Sequence, residues 1–392
     1  MTASRSYDLR NWLTAPHHRH AFQRIREIIP TALIRRDGAG LPLPFDPLPL
    51  DDLHVPSIAG GSTTLAAHLD ETCADAICVV HRGRIVFERY LNGMTERTPH
   101  LMMSVSKSVC GAALGVAIGR GLLRADDLVT DIAPELAGTS LDGATVRHVI
   151  DMTAGTLFIE DYDEYEDPDA DIPLLEYERQ AGYRPLGART PIGTLGHFRT
   201  YPLERPHGAW FSYRSPLTNI AARLLEVVHD MRYADIVSRD VWTALGMEHD
   251  ADVVLDPLGN AVVEGGMSCT VRDLARFGMA YLGDGSVAGR EVLPTSWVDD
   301  TRIGSDTARA AYAANPERPD PGPWTMYRNA FWVHDAELLS GIGIFGQWCW
   351  VDRLRQLVIA RFSTYPTALP ADQATATVAA FESVATAIEP PA

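Results

Sequence analysis

Lysine is almost missing from this chain: of 34 basic residues, Lys107 is the single lysine, which leaves 33 arginines. Arginine keeps its proton at any pH a fold survives, so it can hold an anion but cannot serve as a base. Lysine can give up its proton when burial or a charged neighbour lowers its pKa. A chain that uses arginine for generic positive charge and keeps one lysine points to chemistry at that lysine.

Other absences exclude whole classes. The cysteines number five (Cys73, Cys78, Cys110, Cys269, Cys349), are scattered and form no CxxC pair. That pattern fits reduced thiols in a cytosol rather than a disulfide framework. No apolar run approaches the roughly 20 residues needed to cross a bilayer. The opening stretch "MTASRSYDLRNWLTAPHHRH" lacks a basic start followed by an apolar core, so a cytoplasmic location is expected. Positive charge is scarce, 34 basic against 51 acidic residues for a net charge of −17. Nucleic acid and anionic membranes are therefore poor partners. A G-x-S-x-G elbow is absent, since "GGSTT" and "DGSVAG" miss its spacing. His17, His18 and His20 in "PHHRHAF" lack metal-ligand spacing and read as a solvated polar turn. Neither a metal nor a cofactor is called for.

With 392 residues, 46% hydrophobic and 22% charged, the chain is long enough for two lobes around sizeable cores. Residues 1–60, rich in proline and histidine, read as an extended wrapping segment. "DAICVVHRGRIVFERYLNG" reads as a hairpin, and "RNAFWVHD", "GIFGQWCWVD" and "RQLVIARFS" as three late strands. The stretch between is helical and loop-rich, and "PADQATATVAAFESVATAIE" reads as a closing amphipathic helix. The expected fold is α/β (α+β): an antiparallel sheet flanked by helices and completed by both ends of the chain. Residues 61–124 and 290–392 form that domain, and 125–289 an inserted, mainly helical one.

The lone lysine sits in "LMMSVSKSVCGAALGVAIG", which carries no other charge. Such a helix, apolar on nearly all sides, is a buried one, expected to end near Gly119 and Gly121 in "GRG". Ser104 lies three residues before Lys107, and residues three apart share a helix face at roughly 5–6 Å between Cβ atoms. The amine can reach the hydroxyl, and the helix's positive end favours an oxyanion there. Tyr213 and Ser215 form a Y-x-S in "WFSYRSPLTN", which gains meaning only beside an S-x-x-K. The run "IEDYDEYEDPDADI" carries eight acidic residues between Glu160 and Asp171. It reads either as a solvated loop or as a lip that attracts cationic substrates. Ile172 stands where a calcium loop requires glycine, which argues against calcium.

Together, "LMMSVSKSVCG", "APELAG", "YDEYEDP", "ERQAGY", "FSYRS", "GGMSCTVRDLARFG" and "SGIGIFGQ", in that order, resemble the serine β-lactamase and penicillin-binding-protein superfamily. The resemblance is closer to the 6-aminohexanoate-dimer hydrolases and their esterase relatives. It implies a β-lactamase/transpeptidase-like fold, Ser104 as nucleophile, Lys107 as its partner, and Tyr213 sharing the proton transfer. It also implies Tyr165 closing over the substrate, Glu178 facing a substrate amine, and an oxyanion hole made by the N–H groups of Ser104 and Ile344. Glu264, Phe345 and Ser215 fall at substrate-facing positions, where they depart from the relatives' residues. The K-T-G triad of β-lactamases is replaced by Leu339-Ser340-Gly341, which has no cation. The resemblance implies a small amide or ester substrate, with a free amine, and a homodimer. A β-lactamase or D-alanyl carboxypeptidase is the first alternative, and a non-catalytic binding protein on the same scaffold the second.

Overall fold

A computed structural model describes residues 7–167, 169–316 and 323–389. Its centre is a seven-stranded sheet, antiparallel at every pairing. The spatial order is Met326–Arg328, Phe331–Val333, Leu338–Gly343, Gln347–Asp352, Leu357–Ser363, Ala74–His81, Arg84–Tyr90. The early hairpin thus docks edge-on against the last strand, which is how the two ends of the chain complete one sheet. Arg82 and Gly83 make the hairpin turn with φ of 49° and 77°, the left-handed pair a two-residue turn needs to match strand twist.

Both faces of this sheet are covered, so its inner strands read as continuous apolar runs rather than alternating ones. Along Ala74–His81, Ala76, Cys78 and Val80 join one core cluster with Val105, Val109 and Leu274, while Ile77 and Val79 join another with Phe381 and Val384. Period-two geometry sends neighbours to opposite faces. The closing helix Ala371–Ile388 stacks Phe381 on Trp350 at 5.1 Å. The helix Ser106–Gly119 and the helix Val271–Met279 pack on the other face. Val271–Met279 falls inside the range read as the helical insert, yet it lies against the sheet strands.

The apolar helix ends as expected: Gly119 is its last residue, and Gly121 takes φ of 72° just beyond. Its close packing depends on small residues. A Cβ on Gly115 would sit 2.4 Å from the Trp297 indole, so that side chain must be absent for the two elements to touch.

Three parts of the fold differ from the sequence reading. "RNAFWVHD" is a hairpin rather than one strand: Asn329 and Ala330 turn with φ of 50° and 64° between Met326–Arg328 and Phe331–Val333. "SGIG" belongs to a further strand, Leu338–Gly343. A second sheet of four short strands, in the order Thr31–Ile34, Ala251–Val254, Met267–Cys269, His100–Leu101, went unread. Strands of two to four residues carry too little pattern to register as periodic. His18 is also not solvated: it is buried, bonds the Tyr365 carbonyl through Nε2 at 2.8 Å, and meets Phe22 and Phe345 edge-on.

Candidate active site

The small sheet positions Ser104. His100–Leu101 ends one residue before the turn, the Met102 N–H donates to the Met267 carbonyl at 2.8 Å, and the Met267 N–H donates to Ser106 Oγ at 3.1 Å. Ser104 itself lies in a 3-10 turn, Met103–Val105, that runs into the helix beginning at Ser106. It therefore stands just ahead of the first α-turn rather than within it, where the helix's positive end was expected to act on it. In 3-10 winding, side chains i and i+3 eclipse. Lys107 Nζ accordingly donates to Ser104 Oγ at 2.7 Å. Met103 holds φ of 46°, a left-handed conformation that costs a non-glycine residue about 1–3 kcal/mol. The strain sits next to the one half-exposed residue of an otherwise buried run.

Lys107 is only 1% exposed. Nζ also donates to the Glu264 backbone carbonyl at 2.6 Å and lies 5.0 Å from the centre of the Tyr213 ring. Burial lowers its pKa from 10.5 to about 8, against the opposing charges of Glu160 and Glu264. The amine can thus be neutral near physiological pH, as a base must be. Burial also raises the Tyr213 pKa, reinforced by Glu160 and partly offset by a hydrogen bond with Ser104. Tyr213 is then a phenol beside Ser104, and it is burial that lowers the lysine. Tyr213 stacks on Trp332 at 5.5 Å and 15° and meets Tyr327 edge-on at 5.7 Å. The unexpected hairpin turn therefore has a use: its two strands brace the tyrosine.

A glycine sets the approach of the neighbouring strand to Ser104. A Cβ on Gly343 would lie 2.9 Å from the Ser104 nitrogen and 2.7 Å from the Met102 carbonyl oxygen. With hydrogen there, the strand end closes on the Ser104 turn and brings Ile344 to the cleft wall beside Ser104. The cleft is lined by Ser104, Tyr165, Glu178, Ser215, Glu264 and Ile344 among others, and holds a volume of only about 30 Å³. That is a water-sized space.

The remaining expected residues fare differently. Ser215 is on the wall, but its hydroxyl and its N–H both bond Glu160, each at 2.6 Å. The Tyr165 hydroxyl donates to Glu178 Oε1 at 2.6 Å, and the other Glu178 oxygen takes Arg184 Nε at 2.5 Å. Glu178 is therefore already neutralised by a buried cation, and its carboxylate is not a free anion for an ammonium group. Glu264 is 4% exposed, and its Oε1 accepts from Tyr177 at 3.0 Å. Phe345 is corrected outright: it is fully buried among His18, Phe22 and Tyr165, with φ of 60°, and lies in the core rather than on the cleft.

Sequence reasoning missed Glu160, Tyr162, Tyr177 and Tyr183. Tyr162, Tyr177 and Tyr183 all line the cleft. Glu160 turns inward from the acidic run, while Asp161, Asp163, Glu164, Asp167, Asp169 and Asp171 stay exposed. Its position two residues before a tyrosine was the only signal, and in a run of eight acids it does not stand out.

A hydroxyl held by a buried amine, with a phenol beside it, is the arrangement of a serine acyl-transfer enzyme. The family model described as Beta-lactamase matches residues 64–382, and the chain belongs to that family. It is 34% identical over 365 residues to the 6-aminohexanoate-dimer hydrolase of Paenarthrobacter ureafaciens, covering 91% of this chain and 88% of that one. A Beta-lactamase of Escherichia coli (strain K12) is 23% identical over 306 residues, 69% of this chain and 79% of the relative. Among solved structures, one from Bacillus anthracis, provisionally named a 6-aminohexanoate-dimer hydrolase, superposes with a TM-score of 0.88 at 24% identity over 99% of both chains. A family VIII carboxylesterase superposes with a TM-score of 0.58 at 13% identity, over 81% of this chain and 95% of its own. The protein is a serine hydrolase of this fold, acting on amides or esters.

Proposed function

We propose that this enzyme opens linear amide or ester bonds of small molecules through an acyl-Ser104 intermediate, in the manner of the 6-aminohexanoate-dimer hydrolases, and that it works in the cytoplasm. The observation that carries the reading is the 2.7 Å contact between Lys107 Nζ and Ser104 Oγ inside a water-poor cleft. Neutral Lys107 takes the Ser104 proton as the oxygen attacks the carbonyl carbon. The Ser104 and Ile344 N–H groups hold the oxyanion. Tyr213 gives its proton to the leaving amine or alkoxide and recovers one from Lys107. Water then enters, loses a proton along the same route in reverse, and frees the acid.

The exposed acids Asp161, Asp163 and Glu164, next to Tyr162 and Tyr165, support a substrate that bears an amine. Leu339-Ser340-Gly341 offers a β-lactam carboxylate no cation, which disfavours the β-lactamase alternative. No helix among the described residues is long and apolar enough to cross a membrane. A panel of p-nitrophenyl esters, aminohexanoate oligomers, small lactams and a chromogenic cephalosporin tests the reading. Turnover of the esters and linear oligomers is expected, and turnover of the cephalosporin alone would overturn it.

A further inference from the structure

The site contains a second buried ionisable group that the mechanism above leaves unused. Glu264 presents its backbone carbonyl to Lys107 Nζ at 2.6 Å. Its carboxyl group lies in the same cleft wall. Oε1 accepts from Tyr177, whose hydroxyl in turn accepts from Asn219 Nδ2 at 2.6 Å. Oε2 is buried and makes no hydrogen bond of ordinary geometry among the described residues, with the Asn219 amide only a weaker influence on this carboxyl group. A carboxylate oxygen sealed from water without a donor is costly, and that cost disappears when the oxygen carries a proton.

We propose that Glu264 is a positioning residue that sets the charge of Lys107: its carbonyl aims the amine at Ser104, and its carboxyl, by holding or releasing a proton at Oε2, decides whether the amine keeps its own. The inference rests on Lys107 acting as the base. In a dry site burial penalises both charges while each charge stabilises the other, so the carboxylate helps the amine keep its proton and the acid form lets it go. Burial raises the Glu264 pKa to about 7, and Lys107 is the largest influence opposing it. The other groups facing the pair are Ser104 and Tyr213 at Lys107, Tyr177, Tyr183 and Tyr201 at Glu264, and the Glu160 carboxyl. Burial raises all four phenols, so they stay protonated while Lys107 and Glu264 titrate.

The test is the pH profile of kcat/KM on a p-nitrophenyl ester for the wild type, Glu264→Gln, Glu264→Asp and Tyr177→Phe, each checked by circular dichroism. Removing the negative charge lets Lys107 deprotonate at lower pH, so the acid limb of Glu264→Gln moves down by about one pH unit. Glu264→Asp, which keeps a carboxyl, stays near the wild-type limb. Tyr177→Phe strips the donor from Oε1, favours protonated Glu264, and moves the limb down by a smaller amount. It also serves if Glu264→Gln fails to fold. Limbs that coincide with the wild type in both variants would leave Glu264 a structural residue and overturn the inference while Lys107 keeps its role. A wild-type profile with no acid limb would overturn the lysine base and the inference together.

Discussion

Replacing Lys107 separates stability from catalysis, because the fold and the reaction want different things from it. Lys107→Met keeps length and apolar packing but removes the amine. The native lysine carries its proton at a cost: a pKa lowered from 10.5 to about 8 corresponds to about 3 kcal/mol against folding at pH 7, at 1.36 kcal/mol per unit. The sign follows from which state binds the proton better. The unfolded chain does, so the penalty is full below the folded value and fades as pH rises towards the unfolded one. Lys107→Met should therefore melt higher than wild type at pH 7, with the gain shrinking above pH 8. Its turnover should fall at least 10²–10⁴-fold, the usual worth of a general base. Lys107→Arg should lose turnover similarly while gaining no stability, since a larger, permanently charged group is forced into the same space. Differential scanning calorimetry across pH and ester hydrolysis at saturating substrate measure both halves. Activity within about tenfold of wild type in either variant, or a melting temperature of Lys107→Met that falls, would refute the reasoning.

Tyr213→Phe keeps the stack on Trp332 and should fold normally, yet lower kcat by about 10²–10⁴-fold with a smaller effect on KM, as steady-state kinetics would reveal. Gly343→Ala pushes a methyl group against the Ser104 nitrogen and the Met102 carbonyl, and should cut kcat by about 10²–10³-fold through the oxyanion hole. Glu178→Gln leaves Arg184 buried without its counter-charge and should cost about 3–5 kcal/mol in chemical denaturation. A variant that keeps wild-type stability but loses affinity only for amine-bearing substrates would mean that Glu178 binds the amine after all.

The Ser104–Lys107 contact was legible because it is local. Ser104 and Lys107 are three residues apart, and a single lysine in an uncharged run advertises its own burial. The closing helix and the early hairpin were legible for the same reason: length, period and turn residues all lie within one window. The rest is long-range. Tyr213 gains its meaning from Trp332 and Tyr327, more than a hundred residues later, across a hairpin that short strands conceal. Glu178 looked like a free acid because its partner Arg184, although near in sequence, pairs with it only once the Pro173–Gln180 helix has ended and the chain has turned back. Phe345 looked like a substrate contact because the resemblance put it at a position where the relatives carry a different residue. Its left-handed backbone turns the ring into the core instead. Short sheets and inward-turned acids such as Glu160 leave no local signature, since tertiary context alone decides them.

The scarcity of lysine makes the central claim directly measurable. A protein grown with lysine labelled at Cε and Nζ has one side-chain signal to follow, that of Lys107, by heteronuclear NMR as pH is varied. A midpoint near pH 8, lost on unfolding, is the result expected for an amine kept dry against Ser104. A midpoint at the ordinary value of 10.5 would show an amine that stays charged through neutrality, and the acyl-transfer mechanism would be left without its base.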